Sequence, residues 1–174
     1  MELRIRTKRL ELIAETAELG KAEVSGGSPL AVALCADVPE NWPPENARDV
    51  VELFAAKLHS DPELAGWMNW YWILAEPATG RRTLIGGGGF TSPPVDGVVA
   101  IGYSVLPQYQ RKGYTTEAVQ GLTAWAFSHP EVLKIIAETM PDNEPSIRVL
   151  KRVGFRQVPG ATEPEHIRFE LERA

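Results

Sequence analysis

The sequence predicts a mixed α/β domain, one sheet with helices packed on it, and three observations carry that reading. β-Branched and aromatic runs separated by turn-rich segments fill the middle of the chain, apolar stripes at helical spacing flank them, and no Cys or His cluster offers a staple in place of a core. At 174 residues, 44% hydrophobic and 24% charged, the chain suits one domain, 1–174, with a core of its own.

Residues 7–14, TKRLELIA, set Leu10 and Leu12 against charged neighbours with a period of two, the pattern of a half-buried first strand. Residues 25–44 open on the breaker run SGGSP and hold three further prolines, which predicts loop or broken helix. From Glu45, the residues Ala47, Val50, Val51, Phe54 and Leu58 recur along one helical face behind Pro43-Pro44, so a helix is expected. Three strands follow at 70–75, 83–90 and 98–105, joined through EPATGRR and TSPPVDG. Beyond Gly113 the period changes, and Ala118, Leu122, Trp125 and Ala126 form a helical stripe that ends near His129-Pro130. Residues 135–139 read as a fifth strand. Asp142-Asn143 then supplies an N-cap, Ile147, Leu150 and Val153 a helical face, and Gly154 its end. Residues 155–171 read as two last strands around PGATEPE.

Charge and composition exclude several classes. Eighteen basic against 23 acidic residues give a net charge of −5, so no nucleic-acid partner held by phosphate neutralisation is expected. No apolar run approaches the ~20 residues of a membrane span, and the N-terminal MELRIRTKRLELIAE carries charges where a signal peptide needs apolar residues. A soluble cytoplasmic protein without a membrane partner is expected. Cys35, the only cysteine, reads as a buried small hydrophobe. His59, His129 and His166 are scattered, which predicts neither a hydrolytic triad nor a metal site. The run Gly86-Gly87-Gly88-Gly89 lacks the Lys-Ser/Thr and the helix of a P-loop, and reads as a bulged or closely approached strand. In the cluster Trp67, Trp70, Tyr71 and Trp72, about half should be core; the rest is left to an acceptor pocket or to a dimer surface, so both monomer and homodimer stay open.

The informative segment is 101–118, IGYSVLPQYQRKGYTTEA, where a strand runs through Pro107 into a basic loop and then a helix. Free N–H groups at a helix start, the helix dipole, a close backbone approach at Gly113 and the charges of Arg111 and Lys112 together make an anion site suited to a pyrophosphate. A solvated basic turn is the plainer alternative.

Gln110-x-x-Gly113-x-Thr115 after that strand resembles the acetyl-CoA loop of the GNAT N-acetyltransferase superfamily, Q/R-x-x-G-x-G/A. The segment Pro141-Asp142-Asn143-Glu144-Pro145-Ser146 with Val149-Leu150 and Gly154-Phe155 is similar to the family's P-x-N-x-x-S-x-x-V-L-x-x-x-G-F. With the opening TKRLEL, these blocks resemble the branch that contains the ribosomal-protein alanine N-acetyltransferases, in order along almost the whole chain.

The resemblance implies a twisted, mostly antiparallel sheet splayed between its fourth and fifth strands, here 98–105 and 135–139, with acetyl-CoA as cosubstrate in the opening and no metal. Backbone groups near Val105 and Leu106 would pair with the pantetheine arm and polarise the thioester carbonyl. Amides from Arg111 through Lys112, Gly113 and Tyr114 to Thr115 would hold the pyrophosphate behind Gln110, and Asn143 would meet the cofactor's amide arm. Thr115 replaces a small residue, and either crowds the phosphate or bonds to it. For the general base the candidates are Glu138 and Glu165, each otherwise a surface glutamate; the acid that often precedes IGY in relatives is Ala100 here. The family's thiol-protonating tyrosine matches Leu150, so Ser146 is the candidate acid, with Tyr103 and Tyr114 as spare donors. Trp42 falls in the region that covers the acceptor site in relatives, and otherwise anchors a loop. The expected activity is transfer of an acetyl group to a peptide or small-molecule amine by direct attack. The alternative is a non-catalytic acyl-CoA-binding module.

Overall fold

The computed structural model describes residues 2–174. Eight strands form one sheet in the order β1-β2-β3-β4-β5-β6-β8-β7, antiparallel throughout except for the β5–β6 pair. The strands are β1 (Arg4–Arg6), β2 (Leu10–Ala14), β3 (Asn69–Glu76), β4 (Arg81–Phe90), β5 (Val98–Val105), β6 (Lys134–Thr139), β7 (Arg156–Val158) and β8 (Ile167–Glu172). Helices α4 (Tyr114–Phe127) and α5 (Glu144–Val153) follow the expected stripes. The strand β1 was not expected; it pairs with β2 and makes the fourth and fifth strands of the sequence reading β5 and β6.

The segment read as loop or broken helix, 25–44, holds a short helix, α2 (Gly27–Leu34), and another, α1 (Ala17–Ser25), precedes it across Gly26 in residues for which no element was expected. Their periodicity was hidden because α1 buries little besides Leu19, and because glycines punctuate both. Thr16 caps α1 by accepting from the Leu19 N–H at 3.2 Å. These helices cover the sheet face opposite α4. As a result β2, read as half-buried, is buried at all five residues, and Glu11 is held there between Arg4 and Arg82. On the α4 side, Leu12, Trp70, Trp72, Phe90, Leu122 and Phe169 belong to the main core; on the other, Ile13, Leu30, Tyr71, Ile73 and Leu84 form a second one. Trp70, Tyr71 and Trp72 are therefore all fully buried, not half of them.

Helix α3 (Arg48–Ser60) starts after a single 3-10 turn, Glu45–Ala47. Its predicted stripe is only half used: Leu58 is fully buried, but Val50, Val51 and Phe54 stand partly open beside a cavity. Cys35 also differs from expectation. It is exposed, because it ends α2 in the left-handed conformation with φ 49° and turns its side chain outward.

The glycine run lies in β4, next to a register shift between Trp72 and Ile73. A Cβ on Gly88 would stand 2.5 Å from the Gly102 oxygen and 2.6 Å from Cα and Cβ of Tyr103, so β5 lies against β4 where only glycine fits. Gly88→Ala is expected to lower stability by about 2 kcal/mol, read as a drop in the urea midpoint at unchanged m. A variant as stable as the wild type would mean that β5 yields freely.

Candidate active site

The sheet opens between β5 and β6. Only Val98, Val99 and Ala100 pair with Lys134, Ile135 and Ile136, while residues 101–105 pair with β4 alone. The Leu106 N–H donates to the Ile85 oxygen at 2.8 Å, and the Thr91 N–H to the Ala100 oxygen, which fixes the alternate residues turned toward β4. Antiparallel alternation then aims the backbone groups of Ile101, Tyr103 and Val105 at the gap. Of the two amides considered for the carbonyl, Val105 keeps its N–H for the opening and Leu106 does not.

Beyond β5 a 3-10 turn, Pro107–Tyr109, leads through exposed Gln110, Arg111 and Lys112 to Gly113, which caps α4 with φ 80°. No side chain caps this helix, so the first amides, from Tyr114 onward, are free for an anion. Arg9, which sequence reasoning passed over inside TKRLEL, holds the loop: its Nη1 donates to the Lys112 oxygen at 2.9 Å, its Nε to Glu117 Oε2 at 2.7 Å, and its guanidinium lies 4.4 Å from the Tyr114 ring centroid. Burial pushes the Glu117 carboxyl up, but bonds from Thr7 and Arg9 outweigh it and keep the group below its usual range.

Across the gap, Asn143 Oδ1 caps α5 by accepting from the Ser146 N–H at 3.3 Å, which leaves the Asn143 amide nitrogen for a ligand. Ser146 Oγ lies 3.1 Å from the Tyr103 hydroxyl, so the pair bridges β5 and α5. Burial raises the Tyr103 phenol, despite Ser146, and keeps it protonated. Leu150 is fully buried in the main core.

Neither of the two carboxylates proposed as bases is hydrogen-bonded to this pair. Glu138 Oε1 accepts from the Thr162 N–H at 2.9 Å and from its hydroxyl at 3.0 Å, and His166 Nδ1 lies 3.9 Å from Oε2. Burial raises the Glu138 carboxyl, but the Thr162 bonds and nearby Arg168 hold it below the usual range, which weakens it as a base. Glu165 is exposed in the loop before β8.

A cavity of about 240 Å³ lies on the α1–α3 side of the sheet. Gly87, Gly88 and Gly89 floor it, Val50, Val51 and Phe54 form an apolar wall, and Gly102, Tyr103 and Ser104 bring it to β5. Trp42 lines it rather than only anchoring a loop, and donates from Nε1 to Glu23 Oε1 at 2.9 Å. Among the described residues no group of three or more His, Cys, Asp or Glu is placed to hold a metal, and no helix is long and apolar enough to cross a membrane.

Residues 26–156 match the family model of the acetyltransferase (GNAT) domain. The chain belongs to the GNAT acetyltransferase family. Among its relatives, the uncharacterized N-acetyltransferase YjdG of Bacillus subtilis is 30% identical over 115 residues, 66% of either chain. The uncharacterized N-acetyltransferase YnaD of the same organism is 42% identical over 57 residues, 34% of its length, so the matches span less than two thirds of these relatives. The GNAT fold is matched by the ribosomal-protein-S5-alanine acetyltransferase of Vibrio fischeri, with TM-score 0.64 and 20% identity over 98% of this chain and 96% of that one. It is matched also by RimL, a ribosomal L7/L12 α-N-protein acetyltransferase in complex with coenzyme A, with TM-score 0.67 and 15% identity over 98% of both chains.

Proposed function

We propose that this GNAT protein is an acetyl-CoA-dependent N-acetyltransferase in which a primary amine attacks the thioester directly, within a ternary complex. One observation carries the reading: the free edge of β5 meets the uncapped start of α4 at one end and reaches the apolar cavity on the other face. The cavity gives the amine its own approach, so both substrates have room at once.

The amides at the start of α4, with Arg111 and Lys112, neutralise the pyrophosphate, and Gly113 keeps the loop close. The Val105 N–H polarises the thioester carbonyl. The C–N bond forms as the C–S bond breaks. Of the two protons that the ammonium loses, one leaves to water, since Glu138 is tied to Thr162, and one replaces the proton that the Ser146–Tyr103 pair gives to the departing thiolate. Ala100 and the buried Leu150, where relatives often carry acid–base groups, favour a second reading, a non-catalytic acyl-CoA-binding module. Tight binding without transfer across a broad amine panel would support it.

Titration calorimetry with acetyl-CoA tests the cofactor half of this reading. Arg111→Ala/Lys112→Ala is expected to weaken binding by about ten- to a hundred-fold. Gly113→Val, forced toward a positive φ that valine resists, is expected to weaken it at least as much. Absence of binding by folded wild-type protein would overturn both readings.

A further inference from the structure

The end of the cavity away from β5 is acidic. Glu15 and Glu23 line it, and Glu15, only 1% exposed, has an Oε1 without any hydrogen-bond partner. Nothing in acetyl transfer at β5 requires these groups. Glu23 is the settled member, since its two oxygens accept from Trp42 Nε1 at 2.9 Å and from the Tyr71 hydroxyl at 2.7 Å. Room for Glu15 is made by Gly20, whose Cβ, if present, would stand 2.7 Å from Oε1. A buried carboxyl with an unused oxygen is costly unless something pairs with it.

The sheet supplies a ruler. The Glu15 N–H donates to the Asn69 oxygen, Asn69 is in register with Gly89, and Gly89 with Gly102. Glu15 therefore stands three strand spacings, about 14 Å, from the β5 backbone. That is too far to take a proton from an amine attacking at β5. Between them lie the apolar walls of Trp42, Val50, Val51 and Phe54 and the glycine floor, with Asn46, Asn69 and Ser104 as the uncharged polar groups.

We infer that the acceptor is an extended aliphatic amine with a second ammonium, a diamine or polyamine, whose far cation is received by Glu15 beside Glu23 while its near amine is acetylated at β5. The inference rests on the proposed acetyltransferase reading for the near end only. The far end is a binding site in its own right. Burial and the charge of Glu23, against a smaller effect of Asn69, push the Glu15 carboxyl up to about 8, so an arriving ammonium ionises it and expels a proton.

The probes are α,ω-diaminoalkanes of four to ten carbons against n-alkylamines of the same lengths. Calorimetry in the presence of coenzyme A, in two buffers of different ionisation enthalpy near pH 7, reads binding and proton release without turnover. The longer diamines are expected to bind at least about ten-fold more tightly than the matched monoamines and to release a fraction of a proton. That ratio should fall to near one in Glu15→Gln and be reduced in Glu23→Gln, both checked for retained folding by thermal melts. Equal binding of diamines and monoamines, or a preference that survives Glu15→Gln, overturns the inference. Diamine binding without any acetyl-CoA binding would sink the acetyltransferase reading and leave this one standing. Monoamine acetylation without a diamine preference would do the reverse.

Discussion

Raising the pH from about 5 to 9 is expected to destabilise the wild-type protein, and Glu15→Gln to remove most of that decline. The folded state holds a proton on Glu15 up to about pH 8, against 4.5 for the free carboxyl. Between those values the unfolded chain has lost the proton and the folded chain has not, so each step up in pH favours unfolding. The full difference is on the order of 4 to 5 kcal/mol, which corresponds to a fall of about 10 °C or more in melting temperature. Glu23, raised by burial against its bonds from Tyr71 and Trp42, slopes the same way, so the variant keeps a remnant of the dependence. The Tyr71 phenol, raised well above its usual value by burial, stays neutral throughout this window. Glu11, held low by Arg82 and Arg4, and Glu117, held low by Thr7 and Arg9, act in the opposite sense and only at acid pH, where their protonation breaks ion pairs. The glutamine brings its own pH-independent offset by crowding Gly20, so the slope of melting temperature against pH decides the matter. Parallel slopes in the two proteins would mean that Glu15 is solvated. A bound ammonium should restore the high-pH stability of the wild type and not that of the variant.

The elements that sequence reasoning placed well are those whose pattern and partner coincide. The stripe of α4 and the alternation of β5 each face the main core, and the Asn143 cap, the Gly154 end and the Gly113 turn follow from local chemistry alone. The helix α1 was not legible, because its few apolar residues are mixed with charged ones, and α2 stayed open between loop and broken helix, because the run SGGSP reads as a breaker. That omission had a consequence for the site. Without α1 over the sheet, Glu15 and Glu23 are two ordinary acids in a charged N-terminal segment; only the fold brings them into one cavity with Trp42 and the glycine strip. The stripe of α3 carried the converse lesson, since Val50, Val51 and Phe54 have the spacing of a core face and instead wall a cavity. Arg9 was visible as a letter in TKRLEL, but its hold on Lys112 and Glu117 joins residues more than a hundred positions apart.

Tyr103→Phe and Ser146→Ala are each expected to lower kcat by about a hundred-fold, with the KM for acetyl-CoA changed only a few-fold. The argument is geometric. Ser146 lies in the first turn of α5, fixed by the Asn143 cap, and Tyr103 faces the gap from β5, so a thiolate leaving into that gap meets a hydroxyl already paired with a buried phenol. A serine alone is a poor acid; bonded to a phenol kept protonated by burial, it can pass on one proton and receive another without either group carrying a lasting charge. Two residues that act as one relay give non-additive losses, so the double variant should be no slower than the slower single one. Phenylalanine keeps the Tyr103 ring in the core and removes only the hydroxyl, which separates chemistry from packing. The alkaline limb of the kcat profile should disappear in Tyr103→Phe if the phenol supplies the proton. Additive losses would divide the two hydroxyls into separate tasks, and an unchanged kcat in both variants would mean that the thiolate departs without a proton from this pair.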